Sequence, residues 1–121
     1  MSQPIPQTNV AFTSPINPSG ASPVLTIDQI WTALELKVQH AEWFVAGALK
    51  STDVLSVDKD KYGNRVTTRE VVFVEGDKRV KEVCTEYPKQ KIDFDQLDGG
   101  LVSNIVSHGA GGAEDLYMTY T

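Results

Sequence analysis

The stretch RVTTREVVFVEGDKRVKEVCTEY, residues 65–87, decides the fold. Its side chains alternate with period two on both sides of Glu75-Gly76-Asp77-Lys78, a turn-forming tetrapeptide. The Val and Thr that fill the flanks suit a pleated surface. Two strands, 65–74 and 79–87, joined by so short a connection form an antiparallel hairpin. Toward the C-terminus the same rhythm gives strands at 91–97, 101–108 and 116–121, separated by Pro88-Lys89-Gln90, Asp98-Gly99-Gly100 and the glycine-rich 109–114. Toward the N-terminus, 53–58 is another strand before the turn Lys61-Tyr62-Gly63-Asn64. Six consecutive strands with hairpin connections are expected.

Upstream of Gly47 the period changes to 3.6. Thr26 is a suitable N-cap, Gln29 completes a capping box, and Asp28 favours the positive end of the helix dipole. Ile27, Ile30, Trp31, Leu34 and Val38 recur on one face. Lys37 and His40 lie in the last turns, where cations are favoured. Residues 41–46, with Trp43 and Phe44, read as a second short helix ending at Gly47. Residues 10–16 alternate apolar and small side chains and read as a first strand, which Pro15 puts at a sheet edge. Residues 17–23 are a loop, and residues 1–9 read as a flexible tail before one domain over 10–121. The expected fold is α+β: a curved, seven-stranded antiparallel sheet with two short helices after the first strand.

With 121 residues, 40% of them apolar, the chain can bury a sizeable core in one domain. Its net charge of −5 and lack of basic runs argue against phosphate-backbone binding to nucleic acid. No apolar stretch approaches the ~20 residues of a membrane span. No charged residue precedes Asp28, so neither a secretory nor a transit signal is expected, and a cytoplasmic location is the default.

Metal and nucleophile chemistry find little support. His40 and His108 have no second ligand at metal spacing, so no metal site is expected. Ser103, Ser107, His108 and Asp115 lack a G-x-S-x-G elbow. Cys84 lies between Glu82 and Glu86, which disfavour a thiolate. Gly109-Ala110-Gly111-Gly112-Ala113 leads into Glu114-Asp115 and a strand rather than the helix a phosphate loop needs. His40, His108 and Cys84 are therefore expected to be dispensable. More informative are the polar residues on strands, such as Arg69 with Val71 and Phe73, Thr85 with Val83 and Tyr87, and Asn104 with Val102 and Val106. Either those faces meet solvent, or they form a mostly apolar concave surface with a few convergent polar groups, the composition of a small-molecule pocket.

The run Leu25-Thr26-x-x-Gln29-Ile30-Trp31-x-x-Leu34-x-Leu36-Lys37, then Phe44-Val45-x-Gly47, Arg69-Glu70-Val71, Tyr87-Pro88 and Val102-Ser103-Asn104-Ile105, resembles the AtaL-like branch of the SRPBCC (START and birch-pollen-allergen) superfamily. The resemblance implies a helix-grip fold with a cavity for apolar or amphipathic molecules, a link to secondary-metabolite biosynthesis, and a long C-terminal helix. The sequence ends at Thr121, inside or just after the last strand, so a shortened form is expected. It would pair as a homodimer through an exposed strip including Leu116, Met118 and Tyr120.

On this reading the chain binds a small apolar or amphipathic molecule without any cofactor. Val71, Phe73, Val83, Thr85, Tyr87, Ile92, Phe94 and Tyr120 line the cavity, and Trp43 and Phe44 border its entrance. Arg69 pairs with an anionic or carbonyl oxygen of the ligand and Asn104 adds a hydrogen bond. An alternative is a cofactor-independent cyclase or isomerase, in which Arg69 stabilises an enolate-like oxyanion and Glu82 or Tyr87 handles the proton. A second alternative is a structural or assembly subunit.

Overall fold

The computed structural model describes residues 8–45 and 47–121. Most of the expected tail, and Ala46 of the expected second helix, lie outside the described residues. The element order is β1 (Phe12–Pro15), α1 (Ile27–Gln39), a 3-10 turn (Ala41–Trp43), β2 (Leu49–Lys59), β3 (Arg65–Phe73), a 3-10 turn (Glu75–Asp77), β4 (Arg79–Tyr87), β5 (Lys91–Gln96), β6 (Gly100–His108) and β7 (Leu116–Tyr120). All seven strands form one antiparallel sheet in the order β1-β7-β6-β5-β4-β3-β2. β2 to β7 are a meander, and β1 closes on β7, with Phe12 opposite Tyr120. Pro15 sits on this edge strand, where its missing N–H costs no ladder bond.

Helix α1 forms where its capping box is complete. The Thr26 hydroxyl accepts from the Gln29 amide at 3.2 Å, and the Gln29 side chain accepts from the Thr26 amide at 2.9 Å. These bonds satisfy two donors that a helix start otherwise leaves unpaired. The helix lays Ile30, Trp31, Leu34 and Val38 against Cys84, Ile92, Phe94, Val106 and Met118 of the sheet. That stripe is the core.

Four expectations change. The second helix is only the three-residue turn Ala41–Trp43. Strand β2 begins at Leu49, four residues before the expected 53; Lys50, Ser51 and Thr52 carry no apolar side chain whose alternation would mark a strand. The third is the strip expected to be uncovered on the last strand. Leu116 is 1% and Met118 8% exposed, and Met118 belongs to the cluster under α1. The single chain therefore already buries two of the three residues offered as a pairing surface. The fourth concerns the phase of β4, which determines what the site contains and is taken up below. No described helix is long and apolar enough to cross a membrane.

Chemical denaturation tests this account of the core. Leu34→Ala should destabilise the protein by about 2–5 kcal/mol through lost burial and a residual void. Thr26→Ala should cost only about 1 kcal/mol through the lost cap.

Candidate functional site

In an antiparallel sheet, residues directly opposite each other share a face. Arg69 on β3 stands opposite Glu82 on β4, and Thr67 opposite Cys84. Cys84 stands opposite Phe94 on β5, and Phe94 opposite Val102 on β6. The helix-covered face thus carries Arg69, Val71, Glu82, Cys84, Phe94 and Val102. Val83, Thr85 and Tyr87 fall on the other face of β4, away from α1. Their expected place in the cavity is corrected by the register.

The physical reason lies in charge pairing. The inward phase of β4 holds Glu82 and Glu86, each matched by an arginine of β3. Arg69 and Glu82 are both buried, 4% and 5% exposed. The Arg69 Nε and Nη2 donate to Glu82 Oε1 at 3.1 and 2.9 Å. Arg65 donates to both oxygens of Glu86 at 2.7 and 2.8 Å and also reaches Glu35 of α1. With the carboxylates neutralised in this way, β4 turns Glu82 and Glu86 inward beside Cys84 and leaves Arg79 and Lys81 on the other face. The hairpin itself carried a signal for this. Any connection that sets Arg69 opposite an even-numbered residue of β4 puts 82, 84 and 86 on its face.

Arg69 also holds the end of α1. Its Nη1 donates to the carbonyls of Lys37 at 2.7 Å and Val38 at 3.0 Å, groups in the last turn that have no partner within the helix. Four of these contacts use its Nε, Nη1 and Nη2 donors, so of five guanidinium N–H bonds most are committed inside the protein. The ring of Phe94 lies under the guanidinium, 4.9 Å from its carbon to the ring centre.

Beyond the end of α1 is a cavity of about 290 Å³. Its apolar wall includes Leu49, Val71, Phe73 and Phe94 from the sheet and Ala41 and Val45 from the chain between α1 and β2. Its polar groups are Lys37, Arg69, Glu82 and Gln96. The 41–49 segment is pinned in place by bonds from the Ala41 amide to the Thr52 hydroxyl at 3.0 Å and from the Val74 amide to the Ala48 carbonyl at 3.0 Å. The Thr52 hydroxyl in turn donates to Glu42 at 2.6 Å.

Of the residues expected at the site, the structure brings Arg69, Val71, Phe73, Glu82 and Phe94 together around this cavity. Ile92 is fully buried in the core beneath α1. Trp43 and Phe44 are exposed and do not line the cavity; Trp43 stacks on His40 with ring centres 3.9 Å apart. Tyr120 and Asn104 stand opposite each other on β7 and β6, and both approach Lys37. The Lys37 ammonium donates to Asn104 Oδ1 at 2.7 Å and lies 5.5 and 5.6 Å from the ring centres of Phe94 and Tyr120.

Lys37 was read from the sequence only as a cation suited to a helix end. Its spacing of three from Leu34 and four from Ala41 was the signal that it borders the buried stripe. Val102 was read only as a neighbour of Asn104 on a strand face, and Gln96 was missed because it flanks the β5–β6 turn, where alternation is short. Burial and the charge of Arg69 lower the Lys37 pKa, while Glu82 acts in the opposite direction. Among the described residues, no group of three or more His, Cys, Asp or Glu side chains is arranged to hold a metal ion.

Two outcomes follow from these contacts. Arg69→Met leaves the Glu82 carboxylate buried without its partner and should cost about 3–5 kcal/mol in urea unfolding, whereas Arg69→Met combined with Glu82→Leu should recover a large part of it. Burial pushes the Cys84 thiol up to about 12. At pH 8 it should therefore resist an aromatic disulfide reagent in the folded protein and react once the protein is denatured.

The chain was compared with protein families, curated proteins and solved structures. A family model described as AtaL, acetylaranotin biosynthesis cluster protein L, matches residues 10–121. No curated protein and no solved structure matches. With the match running from before β1 to the last residue, the chain belongs to the AtaL family.

Proposed function

We propose that this protein binds a small, mostly apolar molecule in the cavity at the end of α1, in the service of secondary-metabolite biosynthesis. The observation that carries this reading is the composition of the cavity. Apolar side chains from three strands and from the 41–49 segment line it together with a few polar groups, a composition suited to holding and orienting an amphipathic ligand. The biosynthetic setting is supported by the family's description, which is that of a protein from a biosynthesis cluster. The seven-stranded antiparallel sheet curved around one helix is compatible with the helix-grip architecture of the SRPBCC superfamily, and we read the family as a branch of it.

Binding is favoured over the cyclase or isomerase reading by the state of the acid–base candidates. Glu82 is occupied by Arg69 through one oxygen and by Gln96 through the other, at 3.3 Å. Tyr87 belongs to the opposite face of β4 and does not line the cavity, where a general acid or base would have to stand.

The neutral fluorophore N-phenyl-1-naphthylamine, which brightens in apolar surroundings, tests the proposal. It should bind saturably to the wild-type protein at a stoichiometry near one. Ala48→Trp, which projects an indole into the cavity, should weaken binding about tenfold or more without lowering the unfolding midpoint below that of Leu34→Ala. Undiminished binding to Ala48→Trp would move the site elsewhere.

A further inference from the structure

Two cations and one carboxylate, Lys37, Arg69 and Glu82, face the cavity. Arg69 and Glu82 neutralise each other in a buried pair. Lys37 has no carboxylate within salt-bridge distance among the described residues. Among the described residues its one hydrogen-bond acceptor is a neutral amide, Asn104 Oδ1, although an ammonium has three donors. The cavity is short of one negative charge.

Asn104 provides an independent observation. It is 1% exposed, and its Nδ2 has no hydrogen-bond partner among the described residues. Burying an unsatisfied amide is costly, and an apolar residue here would avoid that cost. What the asparagine does instead is hold the Lys37 ammonium between the rings of Phe94 and Tyr120. Lysine's flexible stem makes such a fixed ammonium costly to order, and Asn104 is the group that orders it.

We propose that the ligand is an amphipathic monoanion whose carboxylate, or an equivalent acidic oxygen, pairs with the Lys37 ammonium while its apolar body fills the wall formed by Val71, Phe73 and Phe94. The inference rests on the cavity reading above and assigns to Lys37 the anion-pairing role that the sequence suggested for Arg69. Arg69, engaged with Glu82 and with the carbonyls of α1, acts as a positioning residue that holds the helix end and so the base of the Lys37 side chain. The depressed Lys37 pKa agrees with this, since burial and the neighbouring guanidinium both work against its charge, and an anionic ligand would reverse that balance.

A matched pair of probes tests it. 8-Anilinonaphthalene-1-sulfonate and N-phenyl-1-naphthylamine share one aromatic skeleton, and only the first carries an anion. Wild-type protein should bind the sulfonate at least about tenfold more tightly, the effect of one charge-assisted hydrogen bond. Lys37→Met should bring the two affinities together while N-phenyl-1-naphthylamine remains bound, and Lys37→Arg should keep the preference. Equal affinities in the wild type, or a preference that survives Lys37→Met, would overturn the anion assignment and leave the cavity reading standing. Failure of both probes to bind the folded wild-type protein would overturn the cavity reading, and this inference with it.

Discussion

The guanidinium of Arg69 is the point on which the helix and the sheet are joined. It lies between the Glu82 carboxylate of β4 and the last-turn carbonyls of α1, and it rests on the ring of Phe94. An arginine suits this place because its planar fork serves several acceptors at once and keeps its charge when buried. Neither set of acceptors would tolerate its absence. Without Arg69 the carboxylate would be a buried, uncompensated charge, and the helix carbonyls would end against an apolar surface without donors.

The cavity follows from that joint. Helix α1 ends at Gln39, held down by Arg69, and the chain then turns through Ala41–Trp43 toward β2. The sheet continues beneath, with Val71 and Phe73, past the last turn of α1. Small side chains at Ala41 and Ala48 keep that space open, and the backbone bonds to Thr52 and Val74 prevent the segment from collapsing onto the sheet. Lys37, one residue before the buried Val38, is thereby carried to the rim of the cavity, and Asn104 of β6 fixes its ammonium.

A second ionic tie lies along the same helix. Arg65 at the start of β3 joins Glu86 of β4 to Glu35 of α1. Glu86 is buried while Arg65 and Glu35 are partly exposed, so this tie is screened by solvent more than the Arg69–Glu82 pair and contributes less. The two arginines, four residues apart on one strand, and the two glutamates, four apart on the next, form parallel rungs. Such rungs specify register, because a one-residue slip would send every charge to the opposite face.

The sequence by itself determined the α+β class, the capped helix α1 and a seven-stranded antiparallel sheet whose last six strands form a meander. Those features rest on local causes: a capping box at Thr26 and Gln29, turn residues between strands, and a change of period at Gly47. The boundaries of β4 were legible for the same reason. Arg69, Val71, Phe73 and Phe94 were also legible as cavity residues, since a cation on an otherwise apolar strand face stands out. Which phase of β4 faces the helix was decided only in three dimensions. Val83 and Tyr87 make one phase of the second half of β4 look apolar, but that phase also carries Arg79 and Lys81, and pairing across the hairpin neutralises Glu82 and Glu86 and turns them inward. Lys37 likewise gains its meaning only from Asn104, 67 residues away. No local pattern relates those two positions, because only the packing of α1 over β6 brings them within a hydrogen bond.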